Sequence, residues 1–177
     1  MHHIKKAALH DFERIHAFID QIDEDWRTIN DENIITLLDR GCVYLLLEET
    51  NILGCGICCH SMRDLFFPLS HSFSKENEIL DSMQYHGEPI CSFAYFRLSP
   101  FCAYEKEGKE FLLDLMAQNK GSSFFAAVKE TDLDMMSLLL KIGYTNHGID
   151  SSLELASPCY LLIKPYKPLG LCRELKW

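Results

Sequence analysis

The run "EPICSFAYFRLSP", residues 88 to 100, constrains the fold more than any other stretch of the chain. Its apolar and aromatic residues favour a strand. Pro100 cannot donate to a ladder, so the strand stops there. The period then changes: in "EKEGKEFLLDLMAQNKG", Phe111, Leu112, Leu115 and Met116 form a helical stripe that Gly121 terminates. "SSFFAAV" reads as a short buried strand, and "TDLDMMSLLLKIGY" as a helix with its N-cap at Thr131 or Asp132 and its C-cap at Gly143. "YTNHGIDSSLELASPCYLLIKPY" holds two more strands around a loop.

Upstream, residues 2 to 8 read as a strand, and "LHDFERIHAFIDQI" sets Leu9, Phe12, Ile15, Ile19 and Ile22 at helical spacing. "IITLLDRG" is a second short helix closed by Gly41. "CVYLLLEE" and "ILGCGICCH" are apolar strands joined at "TN" as a hairpin. A long connection over 61 to 87 carries one brief helical segment at 75 to 83. The order suggests an α/β fold of α+β character: one central, mostly antiparallel sheet of about seven strands with about four helices on its faces. The expected division is a single domain over 1–166 and a C-terminal tail over 167–177.

With 177 residues, 47% of them hydrophobic, the chain builds one core rather than two. No stretch reaches the roughly 18 apolar residues of a membrane span, and "MHHIKKAALHDF" lacks the apolar segment of a signal peptide. A soluble, cytoplasmic protein with no membrane partner is the expectation. The net charge of −9, without clustered Lys and Arg, argues against nucleic acid as a partner. The eight cysteines are unevenly spaced and are expected to stay reduced as small core residues. Cys55, Cys58, Cys59 and His60 crowd together, but on a strand Cys55 and Cys58 lie about 10 Å apart on opposite faces and cannot share an ion. No metal is expected, and no zinc-protease, Walker or Rossmann pattern is present. Cys102 stands near a helix start, where a thiolate would be stabilised.

"FRLSP" is similar to the apolar strand end before proline of the GNAT acetyltransferase superfamily, "FFAAVKETDLDMMSLLLKIGY" resembles that family's strand, helix and Gly-aromatic signature, and "IKKAALHDFERIHAFI" resembles its opening. The resemblance covers nearly the whole chain. It implies that the strand over 88 to 98 splays from the strand over 123 to 128, and that the gap takes the pantetheine arm of an acyl-CoA. Main-chain groups of Phe96 and Leu98 would then hold the cofactor, with the Phe96 N–H as oxyanion donor. The loop after Pro100 would wrap the pyrophosphate. Counted without a gap, the family's Arg/Gln-x-x-Gly-x-Gly/Ala positions fall on Ala103, Lys106 and Gly108, with Lys109 near the anion; with two extra residues they fall on Glu105, Gly108 and Glu110. Only Gly108 fits in either register. Asp132 stands where relatives often carry a cofactor-binding Asn.

That resemblance implies acetyl transfer from acetyl-CoA to a primary amine by direct attack. Leu139 occupies the position of the family's usual acid, a Tyr, and Ser92 that of a Glu base. Ser137 is the candidate substitute acid; Glu88, or His86 beside it, is the candidate base acting through water. The acceptor, a small molecule or peptide, would meet the acidic loop that carries Asp20, Asp23, Glu24, Asp25 and Asp31 around Trp26. The segment 61 to 87 is expected to cover that side of the sheet or to serve a homodimer. The other reading is a GNAT-fold binding or regulatory module without transferase activity.

Overall fold

The computed structural model describes residues 2–22, 31–60, 87–150 and 159–166. In chain order these form β1 (His2–Lys6), α1 (Phe12–Ile22), α2 (Asp31–Asp39), β2 (Val43–Glu48), β3 (Asn51–Cys59) and β4 (Ile90–Leu98). There follow α3 (Lys109–Gln118), β5 (Ser123–Lys129), α4 (Leu133–Lys141), β6 (Thr145–Asp150) and β7 (Cys159–Lys164). A 3-10 turn at Leu9–Asp11 leads into α1, and a π-helical turn at Tyr104–Gly108 leads into α3. The strands form one seven-stranded sheet in the order β1-β2-β3-β4-β5-β7-β6. Every neighbouring pair is antiparallel except β4 and β5, which run parallel.

Helices cover both faces, which is why β2 and β3 read as continuous apolar runs instead of alternating with polar residues. Val43, Leu45, Cys55, Ile57 and Cys59 pack beneath Ile15 and Ile19 of α1 and Leu37 and Leu38 of α2. On the other face Tyr44, Leu46, Phe93, Phe96 and Leu98 meet Phe111, Leu112 and Leu115 of α3 and Leu138 and Leu139 of α4. The two glycines of "GCGICC" serve that second face: a Cβ on Gly54 would lie 2.8 Å from Leu98 Cδ2, and one on Gly56 3.2 Å from Leu115 Cδ1. Gly41 and Gly143 follow α2 and α4 at φ of 67° and 97°, the left-handed geometry that ends a helix.

Several expectations are corrected. Leu9 is 53% exposed and belongs to the 3-10 turn, so the buried stripe of α1 starts with Ile15 and includes Phe18. The hairpin turns at Glu49-Thr50, one residue earlier than read, with Glu48 opposite Asn51 and Glu49 at φ 55°. Of the two N-cap candidates for α4 it is Asp132 that accepts from the Met135 N–H, at 3.1 Å. The expectation of wholly reduced cysteines fails at one pair, because Cys58 of β3 and Cys91 of β4 are joined by a disulfide. Strand alternation directs both side chains to the α3/α4 face, where they meet. Cys42, Cys55 and Cys59 are buried and take no part in the disulfide, and burial pushes Cys55 up to about 12. Cys55 and Cys58 do lie on opposite faces. No helix among the described residues is long and apolar enough to cross a membrane. The helical segment at 75 to 83, Cys172 and the tail over 167–177 lie outside the described residues.

Candidate functional site: an opening between two parallel strands

β4 and β5 pair only from Ile90↔Ser123 to Phe93↔Ala126. Beyond that point β4 continues to Leu98 against β3 alone, and β5 continues to Lys129 against β7 alone. The sheet therefore opens between them. A bulge lies at the same point: Cys58 pairs with Phe93 but Ile57 with Tyr95, leaving Ala94 without a counterpart. The bulge resets the alternation, so that Phe93 and Phe96, three apart, face the same helices.

The direction of the backbone follows from one hydrogen bond. The Ser99 N–H donates to the Leu53 carbonyl at 2.7 Å, toward β3. In an antiparallel pair successive residues turn their N–H and C=O groups to opposite sides, so those of Phe96 and Leu98 turn away from β3 and into the opening. The Phe96 carbonyl is met there by the Arg97 guanidinium, at 2.9 Å. The same guanidinium nitrogen pairs with the Asp132 carboxylate at 3.4 Å. Arg97 thus spans the opening from β4 to the N-cap of α4, with the Tyr95 ring beneath it, 5.4 Å from centroid to Cζ.

At the C-terminal end of β4 the chain turns through Ser99 to Ala103, the Cys102 N–H donating to the Ser99 carbonyl at 2.9 Å, and enters the π-helical turn. The Ala103 N–H donates to the Glu107 carboxylate at 3.0 Å. Hydrogen bonds from the N–H groups of Glu107 itself and of Ala103, with the Lys106 ammonium 3.3 Å away, hold the Glu107 carboxyl below its ordinary value. Its side chain is only 13% exposed, whereas that of Lys106 is 73% exposed. Glu105 turns outward to Lys141 of α4. Gly108 has ordinary helical angles, φ −63° and ψ −43°, so its role is space: a Cβ there would meet Leu98 Cδ1 at 3.0 Å and Leu138 Cδ2 at 3.3 Å.

The opening brings together Phe96, Leu98 and Asp132. Ala103, Lys106, Gly108 and Lys109 follow it in the turn and at the start of α3. Other candidates are set apart. Glu88 lies at the N-terminal ends of the parallel strands, accepting from the Ser123 hydroxyl at 2.8 Å; the six steps of strand from Ile90 to Phe96 alone span about 20 Å. Ser92 is buried within the paired part of β4 and donates to the Cys59 carbonyl at 3.4 Å. Ser137 is on the exposed side of α4, whose buried residues are Met135, Leu138 and Leu139. The Cys102 thiol is raised by burial and by the charges of Glu107 and Glu48, which overturns the expected thiolate. Leu139 is fully buried, and the nearby Tyr144 hydroxyl is buried without a hydrogen-bond partner. On the other face Asp20 and Asp31 flank His16, at 3.0 and 3.3 Å. His86, Asp23, Glu24, Asp25 and Trp26 lie outside the described residues. Among the described residues no group of three potential ligands gathers to hold a metal.

Arg97 and Glu107 escaped the sequence reading. A lone cation inside "AYFRLS" was a signal for the first. Nothing local marked Glu107 apart from its neighbours.

No family model matches the chain, and no curated protein does. Solved structures do. A GNAT-family acetyltransferase from Streptococcus agalactiae superposes with a TM-score of 0.70 at 15% identity, over 94% of this chain and 96% of that one. NAA60 of Arabidopsis thaliana, solved with acetyl-CoA, gives 0.71 at 12% identity over 94% and 100%. Naa50 of the same plant, solved with a bisubstrate analogue of CoA, gives 0.65 at 11% over 93% and 99%. At these identities the likeness is one of fold, and the fold of the chain is that of the GNAT acetyltransferases.

Proposed function

We propose that the chain is an acyl-CoA-dependent N-acyltransferase that moves an acetyl group from acetyl-CoA to a primary amine by direct attack. The observation that carries this reading is the opening between β4 and β5, with the main-chain groups of Phe96 and Leu98 turned into it. The solved complexes of NAA60 with acetyl-CoA and of Naa50 with a CoA-based analogue support the same use of the fold. Lying along β4, the pantetheine arm bonds to Phe96 and Leu98 as an added strand would. The turn from Ala103 to Gly108 and the ammonium groups of Lys106 and Lys109 meet the phosphates.

In the reaction a neutral amine attacks the thioester carbonyl. The Phe96 N–H, fixed by the sheet before the reaction starts, donates to the oxygen as it becomes an oxyanion. Collapse breaks the C–S bond, forms the amide and releases CoA as its thiolate, and the amine's surplus proton passes to water. Glu88 and Ser92 lie too deep along the paired strands to act on an amine at Phe96, and neither Leu139 nor the outward Ser137 supplies an acid. The thiolate therefore leaves without a dedicated acid, which lowers the rate. Asp20 and Asp31 on the α1/α2 face favour a cationic acceptor.

The burial of Leu139 where an acid is expected favours a second reading, a GNAT-fold module that binds without catalysis. Melting with acetyl-CoA, followed by an amine panel read out as thiol release, separates the two. Ligand at about 100 times its dissociation constant adds about 2.7 kcal/mol of stability. Thiol release with any amine supports the enzyme. A raised melting temperature with no release supports the module, and an unchanged melting temperature at millimolar acetyl-CoA overturns both.

A further inference from the structure

We propose that the chain occupies its own cofactor groove: the Glu107 carboxylate stands in for a phosphate of CoA, and the Arg97 guanidinium for the pantetheine donor that would meet the Phe96 carbonyl. This rests on the acyl-CoA reading and goes beyond it, because it makes cofactor binding an exchange in which two side chains must first withdraw.

Two separate contacts carry the inference. The Ala103 N–H would be available to a phosphate at the start of the turn; it is taken by a carboxylate four residues on. That carboxylate is folded inward, with 13% of its side chain exposed, although Lys106 and Glu105 beside it reach into solvent. An ionised acceptor on backbone donors binds more strongly than a neutral one, so a phosphate arriving there meets a filled site of its own sign. At the other end of the groove Arg97 donates to the Phe96 carbonyl and pairs with Asp132. Those contacts cross the space between the parted strands. An arm laid along β4 must take the carbonyl from the guanidinium.

The two stand-ins address different parts of CoA, which sets the test. Titration calorimetry would use CoA and, separately, pantetheine, which lacks the phosphates, against the wild type, Glu107→Gln and Arg97→Met. Melting curves would establish that each variant folds, and Glu107→Asp, whose shorter carboxylate falls short of the Ala103 N–H, serves if the glutamine variant does not. The expectation is that Glu107→Gln binds CoA about tenfold more tightly and pantetheine no differently, whereas Arg97→Met tightens both. CoA affinities that are equal or weaker in folded variants overturn the self-occupied groove while leaving the acyl-CoA reading intact. If no form binds CoA, the acyl-CoA reading itself fails and the stand-ins with it.

Discussion

Asp11 shows how much one side chain can tie together. Its side chain is fully buried before α1, where it accepts from Lys5 Nζ at 2.8 and 2.9 Å and from the Ala8 N–H at 3.1 Å. Burial pushes its carboxyl up, but the Lys5 and Ala8 hydrogen bonds and the charges of Lys5 and His10 outweigh that and hold it below the ordinary value of 3.8. A carboxyl lowered in the folded state contributes stability that is complete above its unfolded pKa and is lost as pH falls through the folded one. Asp11→Ala is therefore expected to cost about 1–3 kcal/mol at neutral pH, because Lys5, 34% exposed, recovers part of its hydration. Urea unfolding at several pH values checks it: the gap between wild type and variant should close only below about pH 4. Among the thiols, Cys55 is held protonated by burial at about 12. Iodoacetamide at neutral pH, mapped by mass spectrometry, should leave Cys55 unmodified and label the half-buried Cys102 slowly. Rapid labelling of Cys55 would show that β3 opens locally.

β3 illustrates where glycine is required by its neighbours. Gly54 and Gly56 make room for Leu98, Phe111 and Leu115, so Gly54→Val forces a branched side chain into a filled layer. The expected loss is about 1–3 kcal/mol, measured by denaturant unfolding. Leu98 is the contact at 2.8 Å, so the same change should weaken CoA binding through its backbone. These elements were legible in the sequence because their periods are strong. Phe111, Leu112 and Leu115 read as one stripe, and β4 as a strand stopped by Pro100. The element boundaries were less legible. The 3-10 turn that exposes Leu9 and the hairpin turn at Glu49-Thr50 depend on tertiary contacts that no local pattern encodes. The site divides in the same way. Phe96 and Leu98 contribute main-chain groups, so their side chains say nothing of the role, and only a family resemblance pointed to them. Arg97 meets Asp132 across 35 residues, a pairing that spacing alone does not reveal.

For the molecule as a whole, the Cys58–Cys91 disulfide bridges 33 residues and ties β3 to β4. Chain-entropy arguments put the stabilisation from such a loop at about 3–4 kcal/mol. Melting with and without dithiothreitol should show that loss in the wild type and none in Cys91→Ser, and identical curves would mean that the pair is reduced under the conditions used. The same two strands carry the bulge at Ala94. Side chains before it and after it answer to different counts, as codons do on either side of an inserted base. Closing the bulge with no residue removed would therefore act on the sheet as a frameshift, imposing simple alternation along β4. Phe96 and Leu98 would turn toward α1 and α2, Tyr95 and Arg97 toward α3 and α4, and the backbone groups now directed into the opening would turn back to β3.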